Sequence, residues 1–363
     1  MRIRDITTAN VLAPWYATDT AMHLVGAPGC GKTSICQHEI PEILSRAINQ
    51  EVVTVVERAT TIDAPDVRGF LVPAKDKDGK GISYFTRPGI IPSEDFLRAH
   101  PVGIYILDER SQAQLLTQTA LAPVVLDKEF GEHKLPRGWR VISTSNRLSD
   151  KSGVVRPPMH LINRETTIEV DFDIDSAAFW WEKNGMHPMG VAFAKAQPGV
   201  FATEVPSEPK PFCTSRSYTS AWKFLAEVAG VDNDGHPNMN IKTDHVIQEF
   251  ASGYIGEGMS AQMFAFLKVA DQLPTIQQIL KDPKNAKCPD RLDAAYAAVQ
   301  LCLHHAEPAN VDKIWDYAER LPVELQTSAA RSLLEKSGGT LLNTKALGAW
   351  VAKNRALIIN TTA

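Results

Sequence analysis

One short run restricts this chain more than any other: Gly26-Ala27-Pro28-Gly29-Cys30-Gly31-Lys32-Thr33, set between an apolar stretch at residues 22–25 and a helical pattern. It fits G-x-x-x-x-G-K-[ST], which at a strand-to-helix junction forms a cradle for phosphate. The glycines let backbone N–H groups curl around phosphate oxygens, and the helix adds the partial positive charge of its N-terminus. In this reading the loop from Gly26 to Thr33, with Ser34 behind it, holds ATP. Lys32 contacts the β- and γ-phosphates, and the Thr33 hydroxyl ligates Mg2+. Cys30 fills a free position as a packing residue. Pro41 soon interrupts the helical pattern, so a kink or break is expected around Ile40.

The surrounding pattern suits such a junction. Short β-rich runs at residues 22–25, 52–56, 104–107, 140–143 and 166–170 alternate with helical stretches, which implies a parallel sheet covered by helices on both faces. After about Asp175 the β-rich runs stop and the chain reads as helical, with two short helices at residues 179–196 around Gly185-Met186-His187-Pro188. The expected division is an α/β nucleotide-binding domain at 1–175, a helical domain at 176–270 and a helical extension at 271–363, with its last boundary near residues 271–274. Between the second and third strands, residues 71–72 and 82–85 flank an Asp78-Gly79 turn signal, the mark of a hairpin. Asp76 and Asp78 begin something like a calcium loop, but its twelfth position would be Arg87, which cannot ligate.

Two further strand ends carry chemistry. The run Gly103-Ile104-Tyr105-Ile106-Leu107-Asp108-Glu109 is a buried-strand pattern closing on two carboxylates. With a phosphate loop upstream, Asp108 suits magnesium held through water, and Glu109 suits the orientation and activation of an attacking water. A carboxylate in the Glu109 position argues for hydrolysis over transfer to a small molecule. The strand at Trp139 runs into Thr144-Ser145-Asn146-Arg147, where the Asn146 amide suits a bridge between γ-phosphate and water.

Together these motifs resemble the AAA+ ATPases, in particular their MoxR-like branch. The resemblance rests on the phosphate loop, Asp66-Val67-Arg68-Gly69, the run ending at Glu109, Leu135-Pro136-Arg137-Gly138-Trp139 leading to Ser145-Asn146-Arg147, Ile162-Asn163-Arg164, and Thr214-Ser215-Arg216-Ser217. It implies Walker A, Walker B and sensor-1 roles for the three strand ends and makes residues 176–270 a lid. It also makes Arg164 an arginine finger and Arg216 the lid's sensor-2 arginine. Glu165 follows Arg164 where the family usually has Phe, so Arg147 and Arg156 are rival fingers. The family further implies a ring, commonly a hexamer, with pore-side elements near residues 66–92 and 126–139. It implies a protein client, often alongside a von Willebrand factor A domain partner. Related branches act on DNA, the alternative reading.

Composition narrows the rest. With 38 basic and 42 acidic residues the formal net charge is -4, which lacks the electropositive excess that draws a protein to nucleic acid. The five cysteines form no C-x-x-C pair, so reduced thiols are expected rather than zinc or disulfides. No run suggests a signal peptide or membrane span, and the expected location is the cytoplasm. Cys302, His304 and His305 lie in an apolar helical run and read as packing rather than metal ligands. Phe179, Trp180 and Trp181 read as core rather than a base-stacking platform.

Overall fold

The computed structural model describes residues 1–359 apart from 151–152, 157–158, 202–204, 207, 233–234, 240 and 271–272. It divides into two compact units, Met1–Asp173 and Ile174–Ala363. The break between them lies at Asp173 and Ile174. The second expected boundary begins at Asp271, outside the described residues.

The strands described in the first unit are β1 (Ala21–Gly26), β2 (Val53–Arg58), β3 (Leu71–Lys75), β4 (Gly81–Phe85), β5 (Val102–Asp108), β6 (Glu129–Phe130), β7 (His133–Lys134), β8 (Gly138–Ser145) and β9 (Glu165–Val170). Five of them form one parallel sheet in the order β2-β5-β8-β1-β9. The expected hairpin is the antiparallel ribbon β3–β4, and β6–β7 make a second, shorter ribbon. Both faces of the sheet are covered, which is why its strands read as continuous apolar runs. On one face Met22, Leu24, Ile104, Ile106 and Ile142 share a core with Leu12, Ile35, Ile40 and Leu44. On the other, Tyr105, Leu107 and Val141 pack with Leu121, Val124 and Phe130. This is the α/β arrangement expected for an AAA+ core, and helices follow it in the second unit.

Because β1, β5 and β8 are parallel neighbours, their C-terminal ends come out at one edge of the sheet, where ligands of open α/β sheets bind. Around Ile40, where a kink or break was expected, the helix leaving β1 stays continuous but changes its hydrogen bonding. It runs as Lys32–Ser34, a π turn at Ile35–Glu39, and Ile40–Ile48 with Pro41 in its first turn. Proline lacks the N–H donor and crowds the carbonyl one turn back. In the π turn the Ile40 N–H bonds the Ile35 carbonyl five residues back, and this wider turn accommodates the ring without parting the helix.

The second unit is helical, and its segments share cores. Helix Pro188–Ala196 packs on helix Leu292–His305, and the Gln300 side chain donates to Glu182 Oε1 at 3.2 Å. Gly190 lets Trp222 approach so closely that a Cβ there would stand 2.7 Å from the indole. Trp181 is fully buried and donates to Thr219 Oγ1 at 2.9 Å, whereas Phe179 is exposed; the run therefore divides between core and surface. Cys302 is buried in an apolar cluster. His304, His305 and His236 lie ring against ring, with centroids 4.8–5.7 Å apart, but no group of three or more His, Cys, Asp or Glu side chains among the described residues is arranged to hold a metal. No described helix is long and apolar enough to cross a membrane.

Candidate active site

The loop from Gly26 to Thr33 joins β1 to the helix at Lys32, and its glycines answer two demands. A Cβ at position 26 would lie 2.4 Å from the Val170 carbonyl oxygen of neighbouring β9, so only glycine fits the close strand pairing. Gly31, directly before the helix, has φ of 96°, a left-handed conformation that glycine adopts without steric cost. Lys32 is buried, and its Nζ donates to the Gly26 carbonyl at 2.9 Å, the Ala27 carbonyl at 2.8 Å and Asn146 Oδ1 at 3.2 Å. Burial pulls this ammonium below its ordinary pKa, opposed by Cys30 and by the charges of Asp108 and Asp150. Cys30 Sγ, 3.7 Å from Nζ, thus faces the lysine as well as packing.

The Thr33 hydroxyl donates to Asp108 Oδ1 at 2.7 Å, across from the loop to the end of β5. The Thr144 hydroxyl on β8 donates to the same oxygen. A hydroxyl and a carboxylate side by side, next to a phosphate loop, are oxygen donors of the kind magnesium takes when phosphate and water complete its shell. The residues present therefore fit Mg2+ with ATP.

Glu109 turns sharply away from the strand. Its backbone is left-handed, with φ 57° and ψ 32°, a conformation that costs a non-glycine residue about 1–3 kcal/mol. Three contacts hold it there: its N–H donates to Thr144 Oγ1 at 3.3 Å, its carbonyl accepts from the Gln112 N–H at 3.0 Å, and Thr60 Oγ1 donates to its Oε2 at 3.4 Å. The carboxylate thus stands at the sheet edge between the ends of β2 and β8.

Lys32, Thr33, Asp108, Glu109 and Asn146 therefore gather at one end of the sheet. Arg164 is exposed in the turn directly before β9, and Arg156 is also exposed. Arg147 is occupied within its own chain: its Nε lies 3.2 Å from Asp150 Oδ1 and its Nη1 3.8 Å from Glu169. Arg216 belongs to the second unit, exposed in the first turn of helix Ser215–Ala229, which is capped by Thr214.

Sequence reasoning passed over Thr60 and Thr144, which hold the two carboxylates, and a buried group behind them formed by Arg110, Glu165 and His23. Isolated threonines at strand ends carry no signal. A histidine inside the apolar β1 run and an arginine directly after two catalytic-type carboxylates were visible anomalies.

No family model and no curated protein matches the chain. Among solved structures it is similar to NtrX from Brucella abortus in complex with ADP, at 17% identity over 96% of this chain and 67% of that one, with a TM-score of 0.38. The ATP complex of the same protein gives 16% identity over 96% and 67%, with a TM-score of 0.35. Likeness at this level does not bear on activity, for which the geometry of the strand ends is the ground.

Proposed function

We propose that this chain is a ring-forming AAA+ motor of the MoxR-like kind that hydrolyses MgATP to remodel or activate a protein partner. What carries the reading is the convergence of Lys32, Thr33, Asp108, Glu109 and Asn146 at one sheet end, with the Thr33 hydroxyl 2.7 Å from Asp108. The loop N–H groups and Lys32 bind and orient the phosphates. Thr33, and Asp108 through water, would hold magnesium, which would supply neutralisation of phosphate charge. Glu109 orients a water in line with the γ-phosphate and takes its proton, while the Asn146 amide steadies that water. Arg164 is the finger for a neighbouring subunit's site. Its exposure favours it over Arg147, which already pairs with Asp150. Arg216, on the lid at residues 176–270, reads the nucleotide of its own subunit, and a hexamer with a von Willebrand factor A domain partner completes the reading.

Two substitutions test it. Lys32→Ala weakens MgATP binding by about 10- to 100-fold, the loss of a charged hydrogen-bond donor. Glu109→Gln keeps that affinity and loses about 100- to 10,000-fold in kcat, the range for a general base. Nucleotide titration and steady-state phosphate release measure both. Unchanged affinity in Lys32→Ala removes the phosphate-loop assignment, and full turnover in Glu109→Gln removes the base.

A further inference from the structure

Behind Glu109 lies a set of ionised and polar side chains that the hydrolytic reading leaves unused. Arg110 is fully buried and grips Glu165, also buried, through two hydrogen bonds: Nη1 to Oε2 at 2.8 Å and Nη2 to Oε1 at 2.7 Å. The second proton of Nη2 is directed at His23 Nδ1, 3.0 Å away. His23 Nδ1 also lies 3.3 Å from Glu165 Oε1, but the Arg110 N–H faces Nδ1 at the shorter distance, which assigns Nδ1 as its acceptor. Burial holds His23 below its ordinary pKa, and the neutral ring carries its proton on Nε2. Nε2 donates to Ser145 Oγ at 2.8 Å, and Ser145 Oγ donates in turn to Ser111 Oγ at 2.8 Å. The Ser111 N–H returns to Ser145 Oγ at 3.1 Å. The chain of bonds thus starts on β9, crosses β1 and β8, and ends on the residues directly after Glu109.

Taking a guanidinium and a carboxylate out of water is costly, and an apolar pair of the same volume commonly folds as well or better. Folding alone gives little reason for such a pair here. The position gives one. Glu109 holds a left-handed backbone, which persists only where the surroundings over-determine it. On its N-terminal side it is fixed by β5, paired to β8 with Leu107 opposite Ser143. On its C-terminal side the next residue is Arg110. We infer that Arg110, clamped to Glu165 and His23, is a positioning residue that holds the turn at Glu109 and so aims its carboxylate. The inference rests on the ATPase reading and goes beyond it, because none of these three side chains needs to touch nucleotide.

The test uses the full chain and three measurements on each variant: kcat and KM for ATP, affinity for a fluorescent ATP analogue, and the thermal unfolding midpoint. Arg110→Lys keeps the charge and loses the two-pronged geometry; the paired Arg110→Met with Glu165→Met removes both charges at similar volume. In both, kcat falls about 10- to 100-fold, the scale of an ångström-sized misplacement, while KM and analogue affinity stay within about threefold. Placed in a Glu109→Gln background, Arg110→Lys adds no further loss, because the group it aims is gone. If the paired variant does not fold, Arg110→Lys decides. A folded Arg110→Lys with kcat within about twofold of the parent overturns the proposal, as does one in which nucleotide affinity falls together with turnover, the mark of a purely structural network. A parent chain without ATPase activity overturns the ATPase reading and this inference with it. An active parent matched by its variants overturns this inference alone.

Discussion

The two compact units keep their interiors together by different means. Among the described residues, the buried lysine, arginine, aspartate and glutamate side chains are Lys32, Asp108, Arg110, Arg140, Asp150 and Glu165, all within Met1–Asp173. In Ile174–Ala363 the buried polar residues are Ser176, His187, Ser260, Gln300 and Gln326, and the largest buried bulk is aromatic: Trp181, Tyr218, Trp222, Trp315 and Tyr317. Burying a charge is expensive unless it is paired and hydrogen-bonded. The first unit accepts that expense along its sheet: Lys32, Asp108 and Arg110 lie at or just beyond the C-terminal ends of β1 and β5, Glu165 begins β9 as the partner of Arg110, and Arg140, near the start of β8, pairs with Asp19. The second packs large rings and buries none of its lysines, arginines or carboxylates fully among the described residues. Charge placement thus marks the chemistry and aromatic volume marks the scaffold.

The contrast breaks most readily at Trp222. If the second unit depends on aromatic volume, Trp222→Ala lowers its stability by about 3–5 kcal/mol, read from the urea midpoint. Most of the chain's seven tryptophans lie in this unit, so their fluorescence reports mainly on it. A midpoint unmoved by the truncation would mean that the ring is dispensable and the contrast superficial.

A smaller effect comes from acid. Burial lowers His187 to about 4, with its Nε2 3.2 Å from the Asn238 carbonyl and its Nδ1 accepting from the Met189 N–H. Burial, with His305, Lys336, His236 and His187 nearby, lowers His304 to about 4 as well. The folded unit therefore prefers these rings neutral, whereas the unfolded chain takes up protons near 6.5. Their contribution is full above about pH 6.5 and declines as pH falls from there towards about 4. Urea midpoints at pH 7.5 and 5 will show the decline, and His187→Gln will make it shallower. A midpoint independent of pH over that interval would show that the second unit does not hold these rings neutral.

The smallest effect is expected on the first unit's own surface. Arg98 lies 3.3 Å from Asp95 and 3.6 Å from Glu94, all three exposed. Arg98→Ala will change stability by no more than about 0.5 kcal/mol. A larger loss by calorimetry would show that burial, rather than mere pairing, is the wrong criterion for where charge matters.

Much of this was legible in the chain. The five sheet strands, the β3–β4 hairpin, the loop between β1 and its helix, and the strand ending at residue 108 all follow from local pattern, because each is specified by residues adjacent in sequence. The sequence does not disclose that Thr33 meets Asp108, or that Arg110 meets Glu165 and His23, since those partners join only when the sheet order is set. At Pro41 local chemistry forecasts a kink or break around Ile40, and the chain answers with a widened turn at Ile35–Glu39. Ile35, Ile40 and Leu44, on either side of it, pack into one core against the sheet.

The left-handed turn at Glu109 has a bearing on how such a chain ages. Glutamate is a poor occupant of that backbone shape, whereas glycine and asparagine take it with little penalty. On the reading of Glu109 as the base, selection for turnover and selection for a durable fold pull this position in opposite directions. In a lineage released from the need to turn over nucleotide, drift then has a downhill path at residue 109: replacement by glycine or asparagine would silence the site and relax the backbone at once. Loss of function there would be retained for its own sake, and a descendant that still gripped nucleotide while no longer cleaving it would be the sturdier molecule.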